Sequence, residues 1–256
     1  MNTIIFIAGW VILAIAIMLL IRYYWLKIDI RAIRGTEISN LAALRNRQAK
    51  FSRSTGRVGT WREQVEVRGT VRCDRPLTAE LSSRQCIYYQ TKIEEEYERT
   101  ECCSDADENR PAKQQRGTKL VKNYQNRTNF YLADGTDTIS VNLNEAEIDG
   151  MTVVNQLESC NRVRANDYRV LGYQRTEKVI ELGAEIYIIG EVKDINGQLQ
   201  ISAAEDRRKP FVISFKSEAE LLAGRLHQCR QQLYWGLGLS LCGSLAIAYA
   251  QLAMLV

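Results

Sequence analysis

The stretch from Cys86 to Glu98 reads CIYYQTKIEEEYE, with four carboxylates in its last five residues. Such a cluster could form an acid–base pair, cage a metal ion, or coat a solvated face. Acid–base work needs one carboxyl in an apolar setting that raises its pKa. A metal cage needs ligands converging from several segments. The aromatic start predicts a strand, in which side chains alternate between faces. Tyr88, Gln90, Lys92, Glu94, Glu96 and Glu98 then share a mostly charged face. Ile87, Tyr89, Thr91, Ile93, Glu95 and Tyr97 share a mostly apolar one. The acids read as the outer face of a half-buried strand, with Glu94, Glu96, Glu98 and Tyr88 as candidate partner-binding residues. Glu95 alone falls on the apolar face, where an arginine partner or a place at the sheet edge is expected.

Other chemistry is sparse. The single histidine, His227, lies on a helix pattern beside a long apolar run. Any Ser/His/Asp or Cys/His arrangement would have to use it. Seven cysteines follow no regular framework. Without a Cys-x-x-Cys or His-x-Cys pattern a zinc site lacks support. The adjacent Cys102 and Cys103 read as surface thiols, with a redox pair as the sharper alternative. There is no Walker-type phosphate loop. No catalytic residue, metal ligand or cofactor site is assigned, and the chain is read as not an enzyme.

The elements that must carry the strand point to a membrane. Ile4 to Ile21 and Leu233 to Val256 contain no charge. Each run can cross a hydrocarbon core of about 30 Å at about 1.5 Å per residue. Tyr23, Tyr24 and Trp25 end the first and Tyr234 and Trp235 open the second, as in an interfacial belt. The first run has no basic n-region and no small-x-small cleavage site, so an uncleaved anchor is expected. Arg22, Lys27, Arg31 and Arg34 follow it; Lys216, Arg225 and Arg230 precede the second. The positive-inside rule then places the middle of the chain in the cytoplasm, in a two-pass topology. A periplasmic or intermembrane side is the alternative. The net charge of +4 is too small to argue for nucleic acid by itself. Most of the excess sits where it would meet anionic lipid head groups.

Four regions follow: a transmembrane helix and flank (1–28), a basic juxtamembrane helix and linker (29–60), a β-rich region (61–216), and a stalk helix entering a second span (217–256). Strands are expected at 65–71, from Cys86 onward, and at 211–215. Hairpins are expected around Asp134-Gly135 and Asn196-Gly197. Residues 105–117 read as a polar loop. Ser217 and Glu220 form a capping box. The fold class is an α+β membrane protein with a barrel-like β domain between two transmembrane helices.

VEVRGTVRCDRPLTAELSSRQCIYYQTKIEEEYER, residues 65–99, resembles the opening of the GIDE, or "beside a membrane", domain. Val65, Val67, Gly69, Val71, Pro76, Leu77, Cys86, Ile87, Tyr88, Tyr89 and Glu96-Tyr97-Glu98 carry the likeness. Gly172-Tyr173, Gly190-Glu191 and Lys209 to Glu218 continue it. The resemblance implies a membrane-flanked domain of outer-membrane E3 ubiquitin ligases that binds substrates or partners, with a role in stress-related signalling. Those ligases follow the domain with a RING finger. Its Cys/His ligands are not in this sequence, so a RING-less, prokaryotic-type member is expected and ligase activity is not carried over. The leading reading is a membrane-tethered binding, scaffold or sensor module. Its partners would be membrane lipids and unidentified proteins, with homo-oligomers compatible and nucleic acid disfavoured. Two other readings stay open: an enzyme using Glu95 or Cys102, and a nucleic-acid or lipid-binding β-barrel.

Overall fold

The computed structural model describes residues 2–34, 39–101, 113–165, 167–206 and 208–255. Cys102, Cys103, residues 105–112 of the expected loop, and Arg207 lie outside the described residues.

Two long apolar helices flank a β-rich region. Helix α1 is Asn2–Arg34 and helix α3 is Glu218–Leu255. Both are long and apolar enough to cross a membrane, over Ile5–Ile28 and Ala219–Leu252. They pack antiparallel: Gly9 lies against Gly243 and Ile247, and Gly236 against Leu20. The buried positions Cys229, Gly236, Gly243 and Ala250 recur every seven residues, as do Gly9 and Ala16 opposite. A seven-residue period keeps one seam facing its partner. Small side chains on that seam let the two backbones approach. A Cβ on Gly9 would come within 2.7 Å of Ile247. The expected capping box opens α3, with the Ser217 amide donating to the Glu220 carboxylate at 3.0 Å.

The juxtamembrane helix expected within residues 29–60 resolves into two elements. Helix α1 runs on to Arg34, and a second helix, α2, occupies Leu41–Thr55. Asn40 caps α2 by accepting from the Ala43 amide at 2.7 Å, and Gly56 ends it at φ 66°. Such an end needs the left-handed region, which glycine enters at no steric cost.

Five strands close into a barrel: β1 (Arg62–Arg72), β5 (Phe130–Ala133), β6 (Thr138–Val141), β10 (Glu185–Ile195) and β11 (Gln198–Ser202). Their order is β1-β5-β6-β11-β10, with β10 returning to β1. All neighbours are antiparallel except β6 and β11, which run parallel. This five-stranded Greek-key connectivity is that of an OB barrel. Val65, Val67, Val71, Phe130, Leu132, Ile139, Ile186, Ile188 and Ile201 fill it. Leu41 and Leu44 of α2 plug one end. There Asp134, on the β5–β6 turn, accepts from the Leu41 amide at 2.7 Å. At Gly69 strand β1 passes from β10 to β5, and a Cβ would come within 2.6 Å of the Ala133 carbonyl oxygen. The glycine of Val-x-Val-x-Gly is therefore a barrel corner. Strand β12 (Val212–Ser214) extends the sheet beside β10, and β7 (Glu147–Asp149) runs parallel to β12. Leu221 and Leu222 of α3 pack on Tyr187 and Ile189 of β10, seating the barrel on the stalk.

Between the barrel strands the chain builds a second sheet. The connection from β1 to β5 supplies β2 (Leu77–Thr78), β3 (Gln85–Glu101) and β4 (Lys113–Arg127). That from β6 to β10, after β7 of the barrel sheet, supplies β8 (Met151–Ala165) and β9 (Tyr168–Glu181). The four long strands pair in the order β4-β3-β9-β8, antiparallel throughout. They form a blade 14 to 17 residues long. The described part of the expected 105–117 loop, from Lys113, is the start of β4.

Candidate functional site

Strand β3 is the second strand in from one edge of the blade, and its two faces meet different surroundings along its length. At the base both are covered. An irregularity at Ile87 lets Ile87 and Tyr88 enter the barrel core together. Tyr89 points the other way into a small cluster with Ala79, Cys86 and Val179. Tyr88, expected on the solvated face, is instead 4% exposed. The alternation rule failed here because neither face of the sheet is open at the junction with the barrel. The Cys86 thiol is a packing group: burial, then the nearby Glu177 carboxylate, pushes it up to about 11.

Glu177 is buried and pins the 79–84 lobe over this face. It accepts from the amides of Leu81 and Ser82, both at 2.8 Å, and from the Thr91 hydroxyl at 3.2 Å. Burial pushes its carboxyl up, but these donors outweigh it and hold the group below the usual carboxylate range.

Farther out, Glu95 is 1% exposed. The Tyr168 hydroxyl donates to it at 2.7 Å and the Tyr173 hydroxyl at 3.1 Å. The Arg164 guanidinium pairs with it at 3.0 Å. The Tyr168 hydrogen bond is the largest influence; with Tyr173 and Arg164 it outweighs burial and holds Glu95 low. Burial and the Glu95 bond push Tyr168 up to about 12. Between these limits the carboxylate stays ionised and the phenol stays a donor. This suits a brace and not proton exchange near neutrality. Tyr97 completes the layer. Its ring stacks on Tyr168 at 5.0 Å and covers Gly117, where a Cβ would lie 2.8 Å from the Tyr97 hydroxyl. The expected arginine partner of Glu95 is thus Arg164.

The opposite face of the blade is the open one. Register places Leu120, Glu94, Gln174 and Leu157 in one row across all four strands. Thr118, Glu96, Gly172 and Ser159 form the next. Leu120 and Leu157 are each 52% exposed at the two margins. Glu94 pairs with Lys92 at 2.8 Å, and Glu96 is half-buried. Glu98 departs from the expectation of a solvated acid: it is buried and bound by Arg116 at 3.1 Å. The structure thus keeps Glu94 and Glu96 together on one surface and removes Tyr88 and Glu98 from it. Among the described residues, no three His, Cys, Asp or Glu side chains are placed to hold a metal.

The family model GIDE, described as E3 ubiquitin ligase, matches residues 101–248. That is more than half of the chain. The chain belongs to the GIDE family. The match runs from the end of β3 through β12 and most of α3, later than the residues 65–99 on which the likeness is first seen. Neither curated proteins nor solved structures give a match.

Arg164, Tyr168, Tyr173, Leu120 and Leu157 escaped the reading of residue types. Tyr168 and Tyr173 are five residues apart, so a regular strand would face them oppositely. The ladder skips Leu171, between Gly172 opposite Glu96 and Val170 opposite Tyr97, and that bulge turns both onto Glu95. Arg164 is likewise skipped, between Val163 and Ala165.

Proposed function

We propose that this GIDE protein is a two-pass membrane module that binds proteins and performs no chemistry of its own. Its β-rich region stands on the cytoplasmic side, and the open face of the blade is the recognition surface. The observation that carries this reading is the contrast between the two faces. One is locked by Glu95, Glu177 and their donors. The other is a continuous, polar surface bearing Glu94 and Glu96 between exposed leucines. A braced sheet offers its partner a pre-formed surface, which lowers the ordering cost of binding. Holding it at a membrane raises its effective concentration for partners on the same surface, so individually weak contacts suffice. Family membership supports an E3-ligase-associated role, in which such a domain selects what a ligase acts on. The basic residues flanking the inner ends of the apolar helices support the cytoplasmic side.

The test is the set of proteins that co-purify with the detergent-solubilised chain. The double substitution Glu94→Lys and Glu96→Lys should remove a specific partner while leaving the thermal midpoint in place. An unchanged set with an intact fold would contradict the blade as the recognition surface.

A further inference from the structure

A second surface lies on the barrel, away from the blade's open face. A groove of about 510 Å³ opens on the outside of β5 and β6. That volume suits a small ligand. Its walls include Asp74, Arg75, Asn129, Tyr131, Ser140 and Gln200. Counting barrel strands along the chain, β5 and β6 are the second and third. Residues 73–75 and 128–129 belong to the two ends of the first-to-second connection. Barrels of this connectivity bind oligonucleotides and oligosaccharides on the face of strands two and three, beside that connection. Fold alone does not assign a ligand, so the side chains must.

Their arrangement is specific. Arg72 pairs across the ladder with Tyr131, Tyr131 with Ser140, and Ser140 with Gln200. Ladder partners share a face, so these four form one outward row about 14 Å long at about 4.8 Å per strand. Tyr131 is 44% exposed in the middle of it, while its neighbours Phe130 and Leu132 are buried in the barrel. An exposed ring on a sheet offers a flat face to another ring. Beside it stand two arginines, Arg72 across the ladder and Arg75 in the groove wall. Neither has an ion-pair partner among the described residues, whereas many other cations of the domain are paired. Asn129, Ser140 and Gln200 supply neutral donors and acceptors, and Asp74 suits a sugar hydroxyl.

We propose that this groove binds a nucleotidyl unit, its base stacked on Tyr131 and its phosphate held by Arg72 and Arg75. A saccharide would use the ring and the amides but leave both arginines without an anion. The modest net charge of the chain is no obstacle, because one such unit needs only a local pair of cations.

The experiment titrates fluorescein-labelled hexathymidylate into the full chain in detergent. Thymidine 5′-monophosphate and a glucose hexasaccharide serve as competitors. Saturable binding is expected. Tyr131→Ala should weaken it about fivefold or more and Tyr131→Phe should restore it, because base stacking tolerates loss of the hydroxyl. Arg75→Ala should weaken binding and flatten its salt dependence. Tyr131 is exposed, so an unchanged thermal midpoint in Tyr131→Ala separates lost binding from lost folding. Competition at comparable affinity by the monophosphate identifies a free nucleotide as the source; much tighter hexamer binding identifies a strand. Either supports the proposal. No saturable binding, binding indifferent to Tyr131→Ala, or displacement by the saccharide alone would overturn it.

Discussion

Tyr168 donates a 2.7 Å hydrogen bond to Glu95 from the neighbouring strand, and a bulge at Leu171 is what brings them to one face. An acid that reads as one of four in a charged run is thereby the most enclosed of the group. Removing either partner leaves the other covered and short of a bond. Glu95→Gln and Tyr168→Phe should each lower stability by about 1–3 kcal/mol, the cost of leaving a covered polar group unsatisfied. Thermal melts of the detergent-solubilised chain check this.

The same pair fixes a pH dependence. Glu95 is held below its ordinary value of 4.5. Its contribution is therefore complete above about pH 4.5 and is lost as pH falls through the depressed folded value. Tyr168 is raised from 10 to about 12, so its contribution is complete below pH 10 and lost as pH rises through about 12. Melting midpoints across pH should fall at both limits. The acid fall should be shallower in Glu95→Gln and the alkaline fall shallower in Tyr168→Phe.

At the base of the blade, Tyr88→Ala and Tyr89→Ala should both cost about 2–4 kcal/mol, because each empties a filled site on a different face. Glu96→Ala should cost less than about 0.5 kcal/mol. Equal, small effects for Tyr88 and Glu96 would restore the simple alternation.

Much of the barrel was legible in the sequence because its strands are half-buried and alternate. Val65, Val67 and Val71 face inward, and turns with Gly135 at φ 84° and Asn196-Gly197 at 53° and 88° mark the hairpins. The blade was less so. Strand β4, KQQRGTKLVKNYQNR, is exposed for most of its length, so no face selects apolar residues. Its order comes from ladder bonds to β3, which leave no trace in residue type. The brace was hidden for a related reason: bulges at Leu171 and Arg164 break the period on which facing is read. The heptad of small residues on α3 was present in the sequence all along, masked by the apolar residues around it.

That heptad makes a contrast between two glycines. A Cβ on Gly243 would come within 3.1 Å of the Gly9 carbonyl oxygen, while one on Gly238 meets nothing within 4 Å. Cysteines in place of Leu20 and Gly236 should cross-link readily. Adding Gly243→Leu should reduce the yield several-fold by forcing the helices apart. Adding Gly238→Leu should leave it unchanged.

The proposed cytoplasmic side rests on the basic residues that flank the apolar helices. Val58 is 63% exposed just before the barrel. Val58→Cys should add labelling by an impermeant maleimide over the parent chain only after cells are permeabilised. Added labelling in intact cells would put the β-rich region on the outer side.

The central claim is recognition through the open face of the blade, and photo-cross-linking in native membranes addresses it most directly. A photoreactive residue replaces Leu157, on that face, or Ile195, 46% exposed on the barrel. A discrete protein adduct should form from position 157 and not from 195, and Glu94→Lys with Glu96→Lys should abolish it. Adducts equally from both positions, or from neither, would contradict the account.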